Sequence, residues 1–83
     1  MTPVATFLLH HRHTAAECAA SFAAWSGFRS PLRRAPVHST CLAGDHALWW
    51  VVDAIDRDAA LALLPRFVAR RSRATEVRRI RIP

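Results

Sequence analysis

The chain has 83 residues, 52% of them apolar and 22% charged, and twelve basic residues against six acidic ones give a formal charge of +6. One small domain over residues 1–83 accounts for that length; the apolar fraction excludes disorder, and no apolar run approaches the about 18 residues of a membrane span. A domain this small buries only about 60% of its unfolded surface, so a second copy is a natural supplement to its thin core.

The distribution of charge says more than its sum. All twelve basic residues are arginine, which reads as the codon bias of a GC-rich bacterial genome. Residues 1–56 carry four arginines and four acids, so the excess lies in residues 57–83, with eight arginines against Asp58 and Glu76. Such a patch attracts phosphates or acidic surfaces weakly; it also suits a solvated helix face followed by a charge-guarded edge strand. Cys18 and Cys41 make neither a disulfide framework nor a zinc spacing. With no basic leader segment and no cleavage site, the expected address is the cytoplasm, where both thiols stay reduced.

Residues 4–13, VATFLLHHRH, read as a strand. Thr14-Ala-Ala-Glu17 is a capping box that starts a helix at Ala15, with Cys18, Phe22 and Trp25 at i, i+4, i+7 as its buried stripe and Gly27 as its stop. Residues 30–36, SPLRRAP, form a loop. Residues 37–43 and 46–53 are two extended runs around Gly44-Asp45, a hairpin with a two-residue turn. Asp53 or Asp56 caps a second helix that Pro65 kinks or divides, and residues 75–82, TEVRRIRI, return as a strand.

The predicted fold is therefore α+β: a ferredoxin-like β-α-β-β-α-β chain with a four-stranded antiparallel sheet in the order 4-1-3-2 and two helices on one face. Strand 3, HALWWVVD, is apolar on both faces, as expected if a second copy covers the helix-free side. In its second half the strand HALWWVVDA leads into DRDAALALLPRF, a Leu-Pro break and the strand EVRRIRI. There the chain resembles the dimeric α+β barrel proteins of the ferredoxin-like group, which include muconolactone isomerases and small monooxygenases. The resemblance implies a homodimer with facing sheets and a pocket between sheet and helices. It carries over no catalytic residue, since none matches position by position, and fold alone does not give function.

The candidate site follows from strand register. On a strand, His11 and His13 share one face while His10 and Arg12 share the other. Pairing strand 1 antiparallel with strand 3 brings His46 to the same end of the sheet. Cys41 ends strand 2 there, Glu76 begins strand 4 there, and His38 falls at the opposite end. The expected acid/base set is His11, His13 and His46, with Arg12 as anion contact and Trp49 or Trp50 as apolar wall. That set would serve isomerisation, cyclisation or cofactor-free oxygenation of a small, partly apolar, anionic molecule, with no cofactor. The alternative is a metal-binding or metal-sensing protein holding a divalent ion with His11, His13, Cys41 and His46. Turn parity puts Cys41, His46, Leu48 and Trp50 on one face and His38, Leu42, Trp49 and Val51 on the other. A nucleic-acid module is disfavoured, because the adjacent tryptophans fall on opposite faces and the basic-Gly-aromatic opening of RNA-recognition domains is missing; a protein-interaction module without any ligand stands as a third reading. No hydrolase, kinase or metalloprotease motif is present.

Overall fold

The computed structural model describes residues 3–83. Strand β1 (Ala5–Arg12) leads through a 3-10 turn (Ala15–Glu17) into helix α1 (Cys18–Ala23). After a long connection come strand β2 (His38–Ser39), a second 3-10 turn (Cys41–Ala43) and strand β3 (Ala47–Ala54). Helices α2 (Arg57–Leu61) and α3 (Arg66–Ala69) and strand β4 (Ser72–Val77) complete the order. The strands form one antiparallel sheet in the order β2-β3-β1-β4, so the architecture is α+β. Among the described residues, no helix is long and apolar enough to cross a membrane.

Period-two patterning decides the faces of the long central strands. Phe7, Leu9 and His11 of β1 are buried, as are Leu48, Trp50, Val52 and Ala54 of β3 and Ala74 of β4. Ala60 of α2, Leu64 just before Pro65, and Val68 of α3 join the apolar members of this set in one core, with Ala24, Trp25 and Leu32 packed against it. Leu8 and His10 alternate with the buried set and are half-buried, while Arg12 and Val51 are exposed.

The helix signals act as read at three places. Thr14 donates its backbone N–H to Glu17 Oε1 at 2.9 Å, closing the capping box. Asp56 caps α2 by accepting from the Ala59 N–H at 2.7 Å, while Asp53 accepts instead from Thr6 Oγ1 at 2.8 Å. Pro65, which lacks an N–H, separates α2 from α3.

Four expectations are corrected. The first turn of the first helix is 3-10 and α1 ends at Ala23, with buried Ser21 in place of Phe22 facing the core; Phe22 is 55% exposed and Cys18 only partly buried. The β2–β3 connection is not a two-residue turn: β2 stops at Ser39 and the strands close where the Thr40 N–H donates to the Ala47 carbonyl at 3.0 Å. Pairing His38 with Trp49 shifts the register by two residues from the expected one, which preserves parity, so Trp49 and Trp50 still take opposite faces. Gly44, at φ 87°, makes the left-handed step that ends the 3-10 turn. Strand β4 pairs through Ser72–Val77, not residues 75–82, because buried Ala74 sits opposite Leu9; Ile80 and Ile82 lie beyond it and are exposed. Glu76 consequently pairs with Phe7, far from the histidines, and Ser72 pairs with His11.

Candidate metal centre

His11 and His13 leave the buried face of β1 at its C-terminal end and are 1% and 8% exposed. Burying two imidazoles requires hydrogen-bond partners for their ring nitrogens, and these partners assign the protons. His11 Nδ1 lies 3.2 Å from the Val68 carbonyl, which can only accept, and 3.1 Å from Ser72 Oγ. Ser72 spends its own hydroxyl proton on the same carbonyl at 2.6 Å. His11 Nδ1 is therefore the protonated nitrogen. Burial lowers the pKa of His11, and the facing His13 and Arg71 charges lower it further against the Val68 bond, so the ring is neutral at neutral pH and Nε2 is a lone pair.

That lone pair faces His13 Nδ1 at 2.9 Å. His13 Nδ1–H must then donate, which leaves His13 Nε2 as a second lone pair. Burial lowers the His13 pKa too, with His46 adding to the shift and Glu17 opposing it. His13 Nε2 is buried without a hydrogen-bond partner, as is His46 Nδ1. A relay runs from the Val68 carbonyl through two oriented imidazoles to an unshared pair, the arrangement in which outer hydrogen bonds fix a metal-ligating histidine.

His46 and Cys41 come to that unshared pair by backbone pairing. The His13 N–H donates to the His46 carbonyl at 3.1 Å, one step beyond the β1–β3 ladder. The 3-10 turn turns Cys41 toward the same place, with its N–H held by Ser39 Oγ at 3.0 Å. One ligand atom each from His13, Cys41 and His46 lie within 4.8 Å of one another. A tetrahedral ion holds N and S ligands about 3.5 Å apart, so side-chain movements of about an ångström would close the set. Cys41 and His46 are half-buried and leave the group open on their side.

The remaining expected site residues divide by face and position. His11 stands behind His13 with both ring nitrogens engaged. Arg12 projects to the other side of the sheet, where it pairs with Asp45 at 3.4 Å in an exposed contact; it cannot serve the histidines as anion contact. Trp50 belongs to the core, whereas Trp49 stacks on His10 on the outer face at 5.1 Å between centroids. His38 pairs with Trp49 in the cross-strand row of His10, not at the opposite end of the sheet, and its outward face keeps it out of the group. The carboxylate near the cluster is Glu17 instead of Glu76. Bonded to the Thr14 backbone and to Arg71 Nε at 2.7 Å, it is held at a pKa of about 2. The capping box was the available signal for Glu17; Ser21 and Ser72 carried none. Protein-family models, curated proteins and solved structures yield no match to the chain.

Proposed function

We propose that the protein binds a thiophilic metal ion, zinc in the first instance, through His13 Nε2, Cys41 Sγ and His46 Nδ1, with His11 orienting His13 from behind. The observation that carries this reading is the pair of buried, unpartnered imidazole nitrogens beside a thiol. Lone pairs kept from water without a proton donor are costly, and a cation is the partner that two imidazoles and a thiolate suit. Three protein donors leave a fourth position for an exogenous ligand, which fits a carrier, sensor or Lewis-acid role.

Acid/base chemistry by the same histidines is the weaker reading. The cavity beside His11 and His13 measures about 10 Å³, room for a single water, so an organic substrate would have to reach these histidines from the side of Cys41 and His46. Two finer readings belong to the proposal. The element order and sheet order support a ferredoxin-like arrangement, and exposed Val51 beside Leu8 on the outer face supports a second copy covering it. Sedimentation tests the second; a monomer at micromolar concentration removes it.

The metal reading is tested on untagged protein. Metal-free chain titrated with cobalt(II) should develop thiolate-to-metal absorption that saturates at one equivalent and is displaced by zinc. Cys41→Ser should lose that absorption and His13→Ala should lose stoichiometric binding. A wild-type chain that takes up neither ion, or variants that bind as well as it does, would sink the reading.

A further inference from the structure

A second concavity shares Phe22 with the one beside the histidines. Phe22, Trp25, Leu48 and Trp50 bound both the small cavity beside His13 and a separate groove of about 190 Å³, whose rim carries Arg33 and Arg34. Its walls are aromatic: Trp25 and Trp50 lie 5.9 Å apart at 44°, and Phe22 is 55% exposed on the edge. The ion pairs among the described residues engage Arg12, Arg71 and Arg78, so neither rim arginine has a carboxylate. Arg34 is also the one non-glycine described residue with positive φ, at 68°. A long side chain in the left-handed region is strained, and such strain gathers at ligand clamps.

The strained turn is held in place by hydrogen bonds at both of its ends and by the packing of Leu32. Ser30 Oγ donates to the Leu63 carbonyl at 2.6 Å and accepts from the Leu32 N–H at 3.1 Å. Leu32 packs on the core, and the Arg33 and Ala35 N–H groups close turns onto Ser30 and Leu32. The backbone that presents the two guanidinium groups is thus ordered in advance, which reduces the entropy lost when they meet a ligand.

We infer that this groove binds a small aromatic carboxylate, its ring against the wall that Trp25 and Trp50 form together and its anionic head on Arg33 and Arg34. The volume falls below the about 300–1,000 Å³ of sites for drug-sized molecules and suits one or two rings. Charge complementarity selects an acid over a neutral ring. The site needs no metal, and its occupant would sit one phenyl ring from His13, which packs edge-on against Phe22 at 6.4 Å.

The test is a benzoate titration of the isotope-labelled 83-residue chain followed by the indole N–H signals. Those of Trp25 and Trp50 should shift saturably, with Trp49 on the outer face as the unmoved control. Benzamide, the neutral isostere, should bind at least tenfold more weakly, and so should benzoate to the Arg33→Gln, Arg34→Gln double variant. Arg34→Gly should melt at a higher temperature than the wild type yet bind benzoate less well, since it relieves the backbone and removes a guanidinium. Cys41→Ser should keep the benzoate response, which separates this site from the metal reading. Equal binding of benzamide, an undiminished response in the double variant, loss of the response in Cys41→Ser, or indole shifts that follow protein concentration instead of benzoate would overturn the inference. The last result would mean that a second copy fills the groove.

Discussion

Four consecutive residues at the end of β1 compare two environments that the chain makes from nearly the same side chains. His11 and His13 face the core, 1% and 8% exposed, and every ring nitrogen but one is hydrogen-bonded. His10 and Arg12 face outward, one stacked on Trp49 and the other in an exposed pair with Asp45. Residue type does not separate these pairs; the pleat does. On the inner side burial strips water from the imidazoles, keeps them neutral and makes each hydrogen bond assign the next. Outside, solvent satisfies what the protein does not.

The largest expected contrast is in metal affinity. On the proposed metal reading His13→Ala takes away one of three ligands and should abolish stoichiometric zinc. His11→Gln disturbs the hydrogen bond that orients it and should weaken zinc about 10–100-fold. His10→Ala should leave zinc binding unchanged. Isothermal titration of the three variants ranks them, and equal losses for His10 and His13 would erase the distinction between the faces.

Stability should show the same asymmetry. Leu9 is fully buried among the residues of the core, whereas Leu8, next to it, is half-buried on the outer face. Leu9→Ala should cost about 3 kcal/mol in chemical denaturation, as a cavity-forming core truncation does, and Leu8→Ala about 1 kcal/mol or less. If a second copy covers the outer face, the Leu8 loss should grow and should depend on protein concentration.

Acid should act through the inner pair first. The folded-state pKa values of His11 and His13 are lowered from about 6.5, so below that pH the unfolded chain binds more protons than the folded one. The stability they contribute is complete above about pH 6.5 and is lost as pH falls through their folded values. Glu17, held at about 2 against an ordinary 4.5, opens a second loss only below pH 4.5. Denaturation of metal-free protein from pH 8 to pH 3 should therefore decline in two stages, and His11→Gln should reduce the first. A zinc-loaded sample should resist the first stage until the metal leaves, because a coordinated imidazole cannot take a proton there.

Much of this contrast was readable in the chain because it depends on parity. Alternation along VATFLLHHRH and HALWWVVD separates His11 and His13 from His10, and Trp50 from Trp49, and antiparallel pairing carries His46 to His13. The faces are the same for the observed connection as for a two-residue turn, because the two registers differ by an even number of residues. What parity does not contain was not readable. The limits of β4 depend on which residues find β1, and Ala74 opposite Leu9 outweighs the clearer alternation of TEVRRIRI. Glu17 approaches the cluster through its cap and Arg71, a contact between residues 54 apart. The ranking of His11 behind His13 needs the Val68 carbonyl, which a sequence does not place, and the left-handed Arg34 carries no compositional sign.

The smallest expected effect lies on the outer face, in the His10–Trp49 stack. The rings are near parallel, 7° apart, on directly paired residues of β1 and β3. Cross-strand aromatic pairs contribute roughly 0.2–1 kcal/mol, so His10→Ala should destabilise by about 0.5 kcal/mol. Trp49→Ala removes the same stack plus its own apolar contacts and should cost more. The double variant should therefore fall short of the sum by the stacking energy alone. A coupling near zero would mean that solvent replaces the stack fully, leaving the outer histidine energetically idle. One well above 1 kcal/mol would show that the outer face is desolvated in solution, as it would be beneath a second copy, and the two faces of β1 would then differ in partner more than in burial.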